Sequence, residues 1–157
     1  MQQFAQPTEM ETKTMSVKQV LYTAHGHATG GRTGSGATDD NRLAVTLSTP
    51  KELGGDGGAG TNPEQLFSIG YSACFLGAMK FVAAQTKVKL PEETKVSAEI
   101  GIGPRTDEGG FGITAALQIS APGMDKEVLE ELVQKAHIVC PYSNAIHQSV
   151  DVKLSVV

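Results

Sequence analysis

A long, almost uncharged segment after Thr61 constrains the fold of this chain more than any other feature. Residues 65–79 carry no charge, and apolar side chains cover nearly all sides of a helical projection. Thr61 and Glu64 fit a capping box, Pro63 fits the first helical turn, and the pattern fades at 85–87. The uncharged run is shorter than the roughly 20 apolar residues that span a membrane. We therefore expect a buried core helix, packed on a sheet or on a partner helix through Leu66, Phe67, Tyr71, Ala73, Cys74, Ala78, Phe81 and Val82.

The segments on either side of this helix predict strands and two shorter helices. Asp125 opens an amphipathic helix with one apolar stripe, and the Cys140-Pro141 pair begins another short helix. The order ββ-α-ββ-α-(short α)-β favours an α+β fold with antiparallel β-sheets around the long central helix. Residues 1–14 are expected to form a flexible N-terminal extension, and 15–157 a single domain. The predicted strands are 17–24 and 42–48, joined as a hairpin by the glycine-rich reversal 30–36, then 95–102, 111–120 and 150–157.

Composition and the N-terminal sequence disfavour nucleic-acid binding and secretion. The net charge is −4, aromatic residues make up 5% of the chain and tryptophan is absent, which disfavours nucleic-acid binding. The first 15 residues are polar and contain no apolar signal core, so we expect a cytoplasmic protein. In that compartment, a lone pair of cysteines more often does redox work than structural work.

Cys74 and Cys140 are the only cysteines. Cys74 lies mid-helix among apolar residues, which is typical of an inert structural cysteine, because apolar burial raises a thiol pKa. Cys140 precedes Pro141 at a predicted helix start, where unpaired backbone amides favour a thiolate. Local sequence therefore makes Cys140 the more reactive thiol. No metal site is predicted, because the cysteines are far apart and His137 is the one nearby ligand type.

Arg32 lies within the glycine-rich reversal 30–36. This segment lacks the terminal Gly-Lys-Ser/Thr of a phosphate-binding P-loop. Arg32 is either a solvated turn residue or a permanent cation placed where a thiolate needs one.

Three segments resemble the OsmC/Ohr family, and within it the organic hydroperoxide resistance branch. They are Tyr22-Thr-Ala to Arg32, Thr61-Asn-Pro-Glu-Gln-Leu-Phe to Phe75, and Ala136-His-Ile-Val-Cys-Pro-Tyr-Ser-Asn-Ala145. The resemblance extends over residues 16–157, and the two cysteine motifs are its specific part. The N-terminal extension is a departure, as is Thr33, which stands where many members have an acidic residue.

The resemblance implies a thiol peroxidase that reduces alkyl and fatty-acid hydroperoxides to alcohols. It assigns Cys74 as the attacking cysteine, Cys140 as the resolving cysteine, and Arg32 with Glu64 as the activating pair. It further implies an intertwined homodimer, reduction by the lipoyl dithiol of lipoylated proteins, and no bound metal or other cofactor.

An apolar pocket would favour alkyl hydroperoxides over hydrogen peroxide, since each buried methylene contributes about 0.8 kcal/mol. The candidate pocket residues are Phe75, Ile138, Val139 and Tyr142. Glu64 and Cys74 are ten positions apart, hence about 15 Å along a helix axis. Arg32 must therefore span between them, or the site is completed across a dimer interface. The alternatives are a non-catalytic acyl- or lipid-binding module, an OsmC-branch peroxidase with broader substrates, and a redox sensor.

Overall fold

The computed structural model describes residues 17–157 and forms two three-stranded sheets with three helices. The proposed flexible extension 1–14 lies outside the described residues. The elements are β1 (Gly26–Thr29), β2 (Ser35–Thr38), β3 (Ala44–Thr46), α1 (Pro63–Thr86), β4 (Lys95–Pro104), β5 (Phe111–Ser120), α2 (Lys126–Val139), α3 (Pro141–Ile146) and β6 (Val152–Val156), with short 3₁₀ turns at Gly31–Thr33 and Lys51–Leu53.

The first sheet is an antiparallel meander in the order β1-β2-β3. The prediction of a hairpin between 17–24 and 42–48 was wrong. Residues 17–24 form no strand, and the chain between 24 and 42, predicted to connect the two strands, contains β1 and β2. Composition misled here because a β-rich segment becomes a strand only where a partner edge is available. Leu21 and Tyr22 are instead exposed.

The second sheet has the order β4-β5-β6. The antiparallel pair β4 and β5 matches the predicted strands closely, with Lys95 opposite Ser120 and Pro104 opposite Phe111. β6 runs parallel to β5, so the prediction of purely antiparallel sheets was wrong at this strand. The reason is the connection: α2 and α3 carry the chain back along the sheet before β6 begins, and such a helical crossover produces parallel strands.

Helix α1 is the long helix that the sequence predicts, and Pro63 occupies its first turn. The capping residue is Asn62 rather than Thr61: the Asn62 side chain accepts a hydrogen bond from the backbone N–H of Gln65 at 2.8 Å. This cap begins the helix one residue before Glu64 and so places that carboxylate in the first turn. The predicted capping box was therefore wrong in its partners, although the predicted start of the helix was right.

One face of α1 packs against β4 and α2, and the other faces outward. Tyr71, Phe75 and Met79 are fully buried, whereas Ile69 and Phe81 remain 69% and 56% exposed. The sequence predicts burial on nearly all sides of this helix, but within residues 17–157 only one face of it is buried. Among the described residues, α1 is the one helix long and apolar enough to cross a membrane, but its buried face forms part of the hydrophobic core.

Candidate active site

The two cysteines meet at the packing contact between α1 and α3. Cys74 lies midway along α1 and Cys140 lies between α2 and α3, and their sulfurs are 3.7 Å apart with both thiols free. Cys140 is completely buried, whereas Cys74 is partly exposed. Of the two cysteines, Cys74 is therefore the one with exposed surface, which reverses the ranking that local sequence gives.

Gly70 leaves room for the side chain of Tyr142 between α1 and α3. A Cβ at Gly70 would lie 3.1 Å from the hydroxyl of Tyr142, so a side chain there would require the Tyr142 ring to shift by a few tenths of an ångström. The ring of Tyr142 instead packs against Phe67 and Tyr71, with centroid separations of 5.6 and 5.9 Å. These aromatic contacts hold the start of α3 over the thiol of Cys74.

Burial raises the pKa of Cys74, and the neighbouring Cys140 raises it further. The backbone N–H of Tyr142 opposes both effects by donating a hydrogen bond to the Cys74 sulfur. The balance leaves the pKa above its ordinary value, so Cys74 in this structure is a thiol at neutral pH. A peroxidatic role therefore requires further stabilisation of the thiolate during the reaction.

Arg32 and Glu64 form a bidentate ion pair. The two guanidinium nitrogens Nη1 and Nη2 donate to the carboxylate oxygens at 2.8 and 2.6 Å. The side chains are 36% and 15% exposed, respectively. Hydrogen bonding from Arg32 lowers the pKa of Glu64, and the carboxylate in turn raises the pKa of Arg32. Both groups are fully charged at neutral pH, and each fixes the orientation of the other.

The loop that carries Arg32 is closed by glycines. Gly30 has φ of 70°, and a Cβ on Gly34 would lie 1.8 Å from the carbonyl oxygen of Thr29. Thr33, the departure from the family pattern, donates its hydroxyl to the Gly30 carbonyl at 3.2 Å and so helps to close the turn. The Arg32 carbonyl also accepts a hydrogen bond from Thr49. These contacts fix the backbone from which the guanidinium reaches α1.

The structure thus joins the four predicted residues in two pairs. One end of the hypothesised bridge is present, since Arg32 contacts Glu64. The other end is not seen: the groups that shift the pKa of Cys74 are its burial, Tyr142 and Cys140. Glu64 lies three helical turns before Cys74 on α1.

A cleft of about 440 Å³ opens beside Glu64. Phe75, a predicted pocket residue, is instead fully buried in the core, while Ile138, Val139 and Tyr142 lie at the surface. The sequence predicts β4 as a strand but gives no sign that its Ala98, Ile100 and Ile102 line a cleft. The cleft is lined by Pro50, Glu52, Leu53, Asn62, Glu64, Gln65, Ser68, Ala98, Ile100 and Ile102.

Within residues 17–157, no group of three or more His, Cys, Asp or Glu side chains is gathered as a metal site. The absence of a metal or other bound cofactor stays a prediction. The arrangement present offers thiol chemistry at Cys74 and a fixed positive charge at Arg32.

Comparison with known proteins places these features in a family. The family model described as OsmC-like protein matches residues 54–155. An organic hydroperoxide resistance protein of Xanthomonas axonopodis pv. citri is 59% identical over 140 residues, covering 89% of this chain and 97% of that protein. This chain therefore belongs to the OsmC/Ohr family.

Solved structures agree with that assignment. The crystal structure of an organic hydroperoxide resistance protein from Legionella pneumophila has a TM-score of 0.82 and 46% identity, covering 88% of this chain and 98% of that one. OhrB, an organic hydroperoxide resistance protein of Bacillus subtilis, has a TM-score of 0.81 and 38% identity, covering 88% and 100%. The α+β fold with a long central helix is thus shared with proteins that carry this name.

Proposed function

We propose that this chain is a thiol peroxidase that reduces organic hydroperoxides to alcohols, with Cys74 as the attacking residue. The observation that carries the proposal is the thiol pair: the sulfur of the partly exposed Cys74 lies 3.7 Å from the sulfur of the buried Cys140. The names of its relatives support a role in the detoxification of peroxides.

The proposed reaction cycle has three steps. The Cys74 thiolate attacks one peroxide oxygen, the O–O bond breaks, and the alkoxide leaves as an alcohol after taking up a proton, while Cys74 becomes a sulfenic acid. The Cys140 sulfur then attacks the sulfenic sulfur, the S–O bond breaks, and the hydroxyl leaves as water with the thiol proton of Cys140 as the Cys74–Cys140 disulfide forms. An external dithiol reduces this disulfide by exchange and is itself oxidised to a disulfide.

We assign to Arg32 the positive charge that the half-buried Cys74 thiolate lacks. A guanidinium has five N–H donors, and the contact with Glu64 uses two of them. The remaining donors are available to an anionic sulfur or to the departing alkoxide. Glu64 aims the guanidinium and is thus a positioning residue.

We assign the alkyl chain of an organic substrate to the cleft beside Glu64, whose lining does not include Cys74. Its apolar wall consists of Leu53, Ala98, Ile100 and Ile102. Each methylene of an alkyl chain buried there contributes about 0.8 kcal/mol, a gain that hydrogen peroxide cannot obtain.

The assembly, reductant and compartment belong to the same proposal. We extend it to a homodimer that is reduced by a lipoyl dithiol in the cytoplasm, where a catalytic disulfide can be cycled. The exposed Ile69 and Phe81 on α1 offer apolar surface for such an assembly.

The proposal is tested by following tert-butyl hydroperoxide, a fatty-acid hydroperoxide and hydrogen peroxide with dihydrolipoamide as reductant. We expect turnover of both organic substrates, at rates well above that for hydrogen peroxide. Cys74→Ser should abolish consumption. Cys140→Ser should consume one equivalent and then stop, with Cys74 one oxygen heavier by mass spectrometry.

The other outcomes favour the alternatives. Comparable rates for all three peroxides would indicate an OsmC-branch peroxidase with broader substrates. Retention of a fatty acid with no consumption of any peroxide would indicate a binding module. Consumption that persists in Cys74→Ser would refute the assignment of the attacking residue.

A further inference from the structure

A buried hydrogen bond links α1 to α3 next to the cysteines. The hydroxyl groups of Tyr71 and Ser143 are 2.7 Å apart, and the two residues are 0% and 1% exposed. Buried hydroxyls are costly unless they are paired, so each of these groups depends on the other. The proposed peroxidase reaction uses neither of them.

The hydroxyl pair joins the same two helices as the thiol pair, one helical turn away. Tyr71 precedes Cys74 by three residues on α1, and Ser143 follows Cys140 by three residues in α3. Residues three apart on a helix are neighbours on one face. The hydroxyl pair and the thiol pair are therefore adjacent cross-connections between the same two helices.

Disulfide formation is sensitive to the spacing of these helices. The sulfurs are 3.7 Å apart and must approach to about 2.05 Å. Cys140 lies at the junction of α2 and α3, so a small displacement of α3 moves its sulfur toward Cys74 or away from it. A buried hydrogen bond one turn away restricts that displacement.

We propose that the Tyr71–Ser143 hydrogen bond is a positioning clamp that holds Cys140 within closing distance of the Cys74 sulfenic acid. The inference rests on the proposed peroxidase function and adds two residues that act on its second step alone. In that step the Cys140 sulfur bonds to the Cys74 sulfur, the sulfenic S–O bond breaks and water leaves. Neither hydroxyl exchanges atoms with the reactants.

The kinetic test uses Tyr71→Phe and Ser143→Ala, each of which removes one oxygen and adds no volume. Reduced protein is mixed with one equivalent of tert-butyl hydroperoxide, and samples are quenched with dimedone, which traps sulfenic acid. Mass spectrometry then gives the rate of thiol loss and the rate of disulfide formation. We expect the ratio of the second rate to the first to fall about tenfold in each variant.

The double variant tests whether the bond itself is responsible. Because either substitution already breaks the bond, we expect the double variant to match the single variants rather than multiply their effects. Thr86→Val is the matched control, since it removes one side-chain hydroxyl bond, to the Val82 carbonyl, at the far end of α1. This control should keep the wild-type ratio.

An equilibrium measurement tests the clamp without any peroxide. The disulfide is formed with diamide and equilibrated with mixtures of reduced and oxidised dithiothreitol. A tenfold loss of effective concentration makes the reduction potential about 30 mV less negative. This arm remains decisive if the wild-type protein consumes no hydroperoxide, a result that would refute the proposed function alone.

The clamp is overturned if both single variants keep the rate ratio and the equilibrium constant within twofold of wild type. A lower melting temperature with both quantities unchanged would show that the bond only stabilises the core. Effects that multiply in the double variant would show that the two hydroxyls act separately.

Discussion

Replacing Glu64 with glutamine tests whether the ion pair with Arg32 serves catalysis or only stability. Glu64→Gln preserves the size of the side chain and removes its charge. One side-chain oxygen can still accept a hydrogen bond, but the new amide group directs N–H donors at the donors of Arg32. The guanidinium therefore loses one of its two contacts, at 2.6 and 2.8 Å, and the fixed orientation that they impose together.

The expected magnitude follows from the geometry and exposure of the pair. Hydrogen bonds to charged groups contribute about 1.5–3 kcal/mol when buried, whereas exposed ion pairs contribute about 0.2–1 kcal/mol. Glu64 is largely buried but Arg32 is 36% exposed, so solvent screens the pair and we expect a loss near 1 kcal/mol. For a domain of this size, that corresponds to a decrease in melting temperature of about 2–4 °C. The rate of Cys74 oxidation should fall more steeply, by about tenfold, because a misaimed donor no longer stabilises the transition state.

The assay combines thermal unfolding with single-turnover oxidation by tert-butyl hydroperoxide. Glu131→Gln is the matched control, because Glu131 forms a 2.6 Å contact with Lys135 on the exposed surface of α2. This control should lose little stability and no reactivity. If Glu64→Gln lowers the melting temperature but oxidises within twofold of wild type, the ion pair is structural and its proposed role is wrong.

Three further predictions concern acid stability, the core and the cleft. Arg32 lowers the pKa of Glu64 from 4.5, so the stabilisation from the ion pair is present above that pH and is lost as pH falls through the lower pKa of the folded state. The melting-temperature advantage of wild type over Glu64→Gln should therefore disappear at such acid pH, and an advantage that persists there would contradict the prediction. Phe75→Ala should cost about 3–5 kcal/mol in urea unfolding because Phe75 is fully buried, and a cost below about 1 kcal/mol would contradict its place in the core. Leu53→Ser should reduce the rate preference for a fatty-acid hydroperoxide over hydrogen peroxide severalfold, and an unchanged preference would exclude the cleft as the alkyl site.

The sequence predicts local features of this fold well. The start of α1 follows from Pro63, and Asp125 caps α2 as expected. The ten-residue strands β4 and β5 also lie where alternating apolar residues place them. Each of these features depends on neighbours within a few positions along the chain, and such neighbours are visible in the sequence.

The features that sequence reasoning missed depend on distant partners. Whether β6 runs parallel to β5 is decided by the helical connection before it, and no pattern within the strand records that choice. Residues 17–24 have strand composition but find no sheet edge among the described residues. Local reasoning also favoured Cys140 as the reactive thiol. It could not foresee that Cys140 is completely buried, because this burial arises from the packing of α3 on α1. For the same reason, the partnership of Arg32 with Glu64 came from family resemblance and not from spacing.

The position of Cys74 creates a conflict between stability and reactivity. The apolar surroundings that let α1 serve as the core helix also raise the pKa of Cys74, so the reduced protein holds it as a thiol. A free thiolate would react with many electrophiles, whereas a thiol that ionises only beside a correctly aimed cation reacts where that cation is present. In the proposed mechanism this cation is Arg32, whose permanent charge is oriented by Glu64. The proposed selectivity for hydroperoxides therefore depends as much on the burial that suppresses Cys74 as on the ion pair that would activate it.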